Sequence, residues 1–392
     1  MKKLLVASAV TAAFAAPAAL AQQARVPTIG QVLDASGISV NGYIDAQYNW
    51  ANRNLQATAA NPGGTPDRVF DSQNNSFGLH QFGMTVAKQP KEGFGGLVNV
   101  TVGQDAQVIH SFPESLGGGA SSMFDLTQAY LSYSQGAFTV IGGKFATLAG
   151  TEVIASTGNT TITRSILFGA IPFTHTGLRA SYAPTDAVTL YAGLNNGWDQ
   201  ITDGNRQKTL EVGATLTPAK QFTLTVSGYF GNEEAVAPGV QTATNAAQGA
   251  RNMVDIVANF TASNSLSLGA EFLYAEQEDV PAPNSGTAKW SGMAGYFTYM
   301  LNSQWRGTVR AEYFDDKQGF HFATLDPAGP AGKTRGAKYT EATLCLSYLP
   351  TSSVELRTEV RADRASEQVF VDSNGSTAKS LLTFGLQGLY KF

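Results

Sequence analysis

Five ionisable side chains, Glu355, Arg357, Glu359, Arg361 and Asp363, occupy every second position of one short segment. At that spacing they share one face of a β-strand. A ladder of this kind either lines an aqueous path and sorts ions by sign, or pairs its own charges across a wall. Neighbouring alternating segments add Arg306, Arg310 and Glu312, then Glu341, and an earlier one carries Arg179. Glu152 and Arg164 sit in a long connection, residues 146–174, which a compact fold rarely keeps without a use for it. Along all the polar faces Asp45, Glu211, Asp255, Glu271, Glu312, Glu341, Glu355, Glu359 and Asp363 outnumber Arg179, Arg306, Arg310, Arg357 and Arg361. Fixed charge acts strongly in a narrow low-dielectric passage, so the balance predicts a mild cation preference. Arginines on the same wall, and screening beyond about 10 Å in 0.1 M salt, keep it mild.

Other chemistry finds little footing. A membrane hydrolase needs serine, histidine and an orienting polar group held together, and the four histidines, His80, His110, His175 and His321, are scattered. No triad assembles from them, and no enzymatic activity is expected. Asp372-Ser373-Asn374-Gly375 contains a fragment of a calcium-loop pattern, but the same residues make an ordinary turn, which is the expected reading. No metal and no cofactor are expected. The single cysteine, Cys345, alternates with Leu344 and Leu346 and reads as a small filler on the polar face; no intramolecular disulfide is possible.

The elements that must position the charges follow from the same period of two. Ile38, Val40, Gly42, Ile44, Ala46, Tyr48 and Trp50 alternate with Asn41, Tyr43, Asp45, Gln47 and Asn49. Such runs predict strands over 38–50, 76–88, 94–105, 124–134, 137–146, 175–184, 187–198 and 207–218. The second half continues with 221–232, 251–262, 265–277, 288–301, 304–316, 338–349, 353–366 and 379–392. Most are far longer than the usual 5 or 6 residues and match the roughly 9 to 11 that a tilted strand needs to cross a bilayer. Brief turns at 135–136, 184–186, 218–220, 302–303 and 350–352 alternate with long loops rich in Gly, Pro, Asn and Ser. The plan is an all-β, up-and-down antiparallel transmembrane β-barrel of about 16 strands, both ends on the short-turn, periplasmic side. Closure matters because an open edge in hydrocarbon leaves backbone amides unpaired. Trp50, Tyr133, Tyr182, Phe230, Phe260, Tyr313, Tyr348 and Tyr390 lie toward strand ends on the apolar face, as interfacial girdles do. Two stretches, 137–146 and 288–301, are apolar on both faces, and 76–88 changes phase between Leu79 and Phe82, as a β-bulge would cause.

Lys2 and Lys3, the apolar run from Leu4 to Phe14 and the site Ala19-Leu20-Ala21 predict a signal peptide over 1–21. A short periplasmic arm over 22–37, helical or irregular, then leads into the barrel, 38–392. Only 14% of residues are charged, well below the quarter typical of soluble proteins. Without Lys2 and Lys3 the formal charge moves from -4 to about -6, which leaves no footprint for nucleic acid. The length is too small for a plug domain with about 22 strands. The final run Leu382, Phe384, Leu386, Gly388, Tyr390, Phe392 resembles the C-terminal signal that outer-membrane barrels show to their insertion machinery.

Several motifs point to one family. They include Gly42-Tyr43-Ile44-Asp45, Arg68-Val69-Phe70-Asp71, Gln128-Ala129-Tyr130-Leu131-Ser132-Tyr133 and Gly143-Lys144-Phe145. Glu152-Val153-Ile154, Arg164-Ser165-Ile166-Leu167-Phe168, Ile171-Pro172-Phe173 and His175-Thr176-Gly177-Leu178-Arg179 follow in order. Together they resemble the OmpL-like β-barrel porins over nearly the whole mature chain. The resemblance implies a channel in the outer membrane of a Gram-negative bacterium, set among lipid and lipopolysaccharide and passing small hydrophilic solutes or ions. By analogy with sixteen-stranded porins, the loop 146–174 either folds inward as a constriction carrying Glu152 and Arg164 or packs over the rim, and the sequence leaves both open. Homo-oligomerisation is left open. The competing expectation is a structural or adhesin-type barrel whose long loops bind a partner.

Overall fold

The structure, a computed structural model, describes residues 29–53, 68–71, 73–112, 122–234, 248–280, 284, 286–322, 324–325, 334–374 and 376–392. The expected signal peptide lies outside them. A helix, α1 (Ile29–Ser36), belongs to a unit of its own. It ends where Gly37 takes φ +67°, a left-handed turn that glycine adopts without steric cost.

From Ser39 onward the chain is a barrel. Its strands are β1 (Ser39–Ala51), β2 (Ser76–Lys88), β3 (Gly93–Val102), β4 (Phe124–Gln135), β5 (Phe138–Ala146), β6 (Thr174–Thr185), β7 (Val188–Asn195) and β8 (Thr209–Ala219). They continue with β9 (Phe222–Glu234), β10 (Gln248–Thr261), β11 (Leu266–Val280), β12 (Gly286–Met300), β13 (Trp305–Asp316), β14 (Ala337–Tyr348), β15 (Val354–Ala365) and β16 (Ser380–Lys391). Each pairs antiparallel with the next, and β16 closes on β1, so no edge is left. All sixteen expected strands are present, with ends moved by a few residues. Two miniature hairpins, Thr324–Leu325 with Thr334–Arg335 and Phe370–Val371 with Thr377–Ala378, ornament the long connections and have no period that would reveal them in the sequence.

Burial inverts the pattern of a soluble protein. Phe77, Phe94 and Leu131 are 82%, 80% and 75% exposed, while Asp45, Glu211 and Arg310 are fully covered. Apolar side chains therefore face outward, where only lipid would remove them from water, and charged ones face inward. The phase change in β2 is a bulge: Asp45 pairs with Gln81 and Ala46 with Leu79, leaving His80 unpaired. A second irregularity separates Asn99 and Thr101 of β3.

The seam between β1 and β16 extends one residue past the strand, because the Gly42 and Phe392 backbones exchange two hydrogen bonds of 2.9 Å. A Cβ at Gly42 would lie 2.4 Å from the Phe392 ring. A larger residue there would push the terminal ring aside.

Candidate functional site

The connection from Thr147 to Phe173 enters the barrel. Its amides and carbonyls bond to inward-facing side chains of β2, β10, β11, β13 and β15, which surround the lumen. Two short 3₁₀ turns, Ser156–Gly158 and Leu167–Ala170, are its regular pieces. A loop without its own ladder must find partners for its backbone groups, and here the wall supplies them.

Wall carboxylates take the loop's N–H groups. Glu359 accepts from Ile162 (2.6 Å) and Thr163 (3.0 Å), and Glu312 accepts from Ile166 and Leu167, both at 2.8 Å. Asp255 accepts from Gly150 (2.9 Å) and Glu271 from Thr151 (2.8 Å). Wall arginines take the carbonyls. Arg357 donates to Asn159 (2.7 Å) and Thr161 (3.0 Å), Arg361 to Arg164 (2.5 Å) and Arg310 to Thr163 (2.8 Å). Each bond to a charged group is worth about 1.5 to 3 kcal/mol, so these contacts together hold the segment firmly.

The two expected loop residues have distinct tasks. Glu152 accepts from Arg310 (2.7 Å) and from the Ser165 amide (2.5 Å). Burial alone would raise its carboxyl, but Arg310 and then Arg164 hold it below the ordinary glutamate value. Arg164 folds the loop on itself by donating to the Val153, Ile154 and Ile162 carbonyls at 2.8 to 3.0 Å, while its guanidinium lies over Phe70 and Phe168.

The late charges form a chain of ion pairs. Arg310 spans Glu152 and Glu341, Arg361 contacts Glu341 (3.8 Å) and Asp363 (2.7 Å), and Arg357 meets Glu355 at 2.6 Å. Arg306 also reaches Glu355. Of the two uses open to the β15 ladder, pairing is realised, mostly between residues two apart on one strand, and its free edges grip the loop. Arg179 stands apart, bonded to Glu211 (2.6 Å) and to the Ala146 carbonyl (3.0 Å), where the loop begins. At the loop's exit Asp199 accepts from the Phe173 and Thr174 amides, and burial pushes its carboxyl up to about 6.

Charge is half of the docking. Ile166, Leu167, Ala170 and Ile171 pack against Tyr229, Met253, Leu273, Trp290, Phe314 and Phe320 in one cluster inside the barrel. Trp290 donates from Nε1 to the Ala170 carbonyl at 3.2 Å and stacks on Phe320 at 5.4 Å. The apolar inner face of β12, anomalous for a water-filled lumen, is thereby explained: a loop covers it.

Residues outside the expected set also belong here. Arg68 and Asp71, from the first long connection, pair with each other, and Arg68 with Asp363. The signal was present, since both lie in one of the family-like motifs. His80, inward because of the bulge, meets Asp105 at 2.8 Å, and Gln81 joins Asp105 (2.7 Å) to the Ile154 carbonyl (2.9 Å). His110 contacts Asp125, His175 stacks on Tyr229 and His321 lies against Trp290. Among the described residues no group of three or more His, Cys, Asp or Glu side chains is placed to hold a metal.

On the short-turn side of the loop, Thr85, Asn99, Thr215, Thr225, Asn259 and Thr298 face inward and are not fully buried, forming a vestibule of hydroxyls and amides. On the long-loop side a small recess is lined by Asn49, Asp71, Asn74, Thr163 and Glu359 together with Trp50, Ala51 and Phe384. The inserted segment lies between them.

A closed sixteen-stranded barrel, apolar outside, polar inside and crossed by its third long loop, defines a porin-type outer-membrane channel fold. The chain belongs to the family described as Putative beta-barrel porin-2, OmpL-like, whose profile matches residues 37–392. Solved porins share the architecture at low identity. The outer-membrane channel DcaP of Acinetobacter baumannii superposes with TM-score 0.61 at 14% identity, over 91% of this chain and 97% of that one. OmpT of Vibrio cholerae, in a trimer form, gives 0.58 at 12%, over 91% and 99%. An anion-selective porin from Comamonas acidovorans gives 0.55 at 9%, over 91% and 99%. No curated protein matches in sequence. Family and fold together imply the outer membrane of a Gram-negative bacterium.

Proposed function

We propose that the barrel is a non-enzymatic, passive diffusion channel for small hydrophilic solutes and ions, narrowed by the loop Thr147–Phe173 and mildly cation-selective. The observation that carries this reading is the bonding of that loop, through both its amides and its carbonyls, to charged side chains around the lumen. A constriction must be rigid to discriminate, and these bonds make it so. Solute would pass between the threonine-lined vestibule and the recess beside Thr163 and Glu359. The excess of acidic over basic side chains along the inner faces of the strands supports a cation preference. Lipid and lipopolysaccharide around the apolar belt, recognition of the C-terminal strand by insertion machinery, and a homo-oligomeric assembly belong to the same proposal.

Conductance in planar bilayers tests it. The purified barrel should give stable open steps, a variant lacking residues 153–161 should give steps several-fold larger, and reversal potentials across a KCl gradient should carry the cation sign. Absence of steps from both proteins would favour a structural or adhesive barrel. Clear anion preference would refute the charge reading alone.

A further inference from the structure

The outer face of the barrel is apolar over most of its height, but one sector of its long-loop end carries positive charge. Alternation places Lys289 of β12, Lys317 just past β13, Lys338 of β14 and Arg364 of β15 on that outer face. Lys317, Lys338 and Arg364 are exposed, and no carboxylate among the described residues pairs with them. Lys289 meets Glu276 at 3.3 Å, and Asp315, opposite Lys338, adds a second acid to the patch. At the same end Arg53, Arg335 and Lys208 are each taken by a carboxylate, Asp372, Glu367 and Asp203 respectively.

The four cations lie at one depth. Lys317 sits opposite Lys289, its amide donating to the Lys289 carbonyl at 3.1 Å. Lys338 is two residues beyond the position opposite Lys317, and Arg364 is two residues short of Ser366, which faces Lys338. Both steps run toward the short-turn end. Hydrogen-bonded rows in this barrel climb toward the long loops as strand number rises, as from Tyr43 through Gly83 and Thr101 to Asp125 at the start of β4. The downward steps offset that climb, so the stripe runs level across four tilted strands, roughly 15 to 20 Å of the circumference. Just beneath it Met293, Tyr313, Leu344 and Val360 are exposed on the lipid-facing side. The row Gly295, Ala311, Ala342, Ala362 crosses the same strands above the row Phe297, Val309, Leu344, Val360, which makes a shallow trough. A Cβ at Gly295 would meet nothing within 4 Å, so packing inside the barrel does not demand its small size.

We propose that the β12–β15 sector is a binding site for the phosphorylated glycolipid of the outer leaflet, lipopolysaccharide, an assignment that rests on the outer-membrane placement proposed above. Lys317, Lys338 and Arg364 take its phosphates, and an acyl chain lies in the trough. Charge complementarity calls for an anion, and a position just above lipid-facing side chains calls for one anchored in the membrane. Cations spread over several strands match a headgroup with a phosphate at each end of a disaccharide, whereas a phospholipid with one phosphate engages only part of the stripe. Arg364 can fork onto two oxygens of one phosphate, and the lysines act as point charges.

Native mass spectrometry of the full mature barrel, refolded in detergent free of lipopolysaccharide, tests the site. The probes are lipid A with two phosphates, lipid A with one, and phosphatidylglycerol, and affinity should fall in that order. Each Lys or Arg near a charged lipid surface strengthens attraction roughly five-fold, so K317Q/K338Q/R364Q should bind doubly phosphorylated lipid A on the order of 100-fold more weakly while remaining heat-modifiable on a gel. K88Q/K91Q/K220Q removes the same charge from the short-turn end and should bind as the wild type does. If the first triple variant fails to assemble, K317Q and K338Q singly should each weaken binding several-fold. Equal affinity in wild type and K317Q/K338Q/R364Q would overturn the proposal, as would an equal loss in K88Q/K91Q/K220Q, which would reduce the effect to net charge. Phosphatidylglycerol bound as tightly, and through the same residues, would overturn the choice of lipid. Stable conductance steps from a barrel that binds no lipid A would sink this site and leave the channel reading standing; lipid A binding without steps would do the reverse.

Discussion

Replacing Arg310 by alanine should free the inserted loop while leaving the barrel wall intact. Arg310 is fully buried and donates to Glu341 (3.1 Å), Glu152 (2.7 Å), the Thr163 carbonyl (2.8 Å), Thr161 (3.2 Å) and Thr343 (3.2 Å). Its removal leaves Glu152 on the loop without its ion-pair partner and Glu341 on the wall with only Arg361 at 3.8 Å, in a dry environment. Breaking a buried ion pair from one side costs about 3 to 5 kcal/mol, which at about 1.4 kcal/mol per decade is two to three and a half decades in the docking equilibrium. The ladders of β13 with its neighbours use backbone groups only and are untouched. Arg164, buried in the docked loop, provides the reporter. Trypsin should cut there roughly 100-fold faster or more in R310A, because cleavage through a rapidly reclosing open form follows its population. R310K, which keeps charge but loses the planar fork, should fall between. Unchanged cleavage at Arg164 in R310A would refute the claim that this ion cluster holds the loop.

Four further outcomes are expected. Arg at Val226, on the lipid face, should destabilise the barrel by about 2 to 4 kcal/mol if near midplane, while Arg at Thr225 costs much less; urea unfolding in lipid vesicles measures both. W290A removes the ring between Ala170 and Phe320 and should cost about 3 to 5 kcal/mol of loop docking, read as faster cleavage at Arg164 with unchanged heat-modifiability. Asp199, raised to about 6 from 3.8, contributes stability that is complete below the unfolded value and is lost as pH rises through the folded one. D199N should flatten that part of the pH dependence of melting. Deleting Phe392 should lower the yield of heat-modifiable barrel in the outer membrane without affecting export.

The wall was legible because a membrane strand imposes a period of two on every residue it contains. Leu356, Val360 and Phe384 had to face lipid, so Glu355, Glu359 and Gly385 had to face inward, and even the bulge at His80 announced itself as a slipped phase. The inserted loop was legible only as an unusual length. Its partners lie far away in sequence, as Ile162 from Glu359 or Ile166 from Glu312, and no local pattern specifies them. The two-faced apolar character of 288–301 was the trace of docking, but without the loop it reads as a defect of the strand. Charges were found and both of their uses stayed open, because a ladder that pairs with itself has the same alternation as one that lines a pore.

The seam at Gly42 and Phe392 also fixes when the protein can exist as a folded object. It joins the first strand of the barrel to Phe392, some of the most distant positions in the barrel's sequence, and such contacts form slowly. Every shorter chain has two open edges, so no fragment released from the ribosome can shelter its backbone in lipid on its own. Until the Phe392 ring settles over Gly42, the apolar outer faces and an unpaired backbone edge are exposed together.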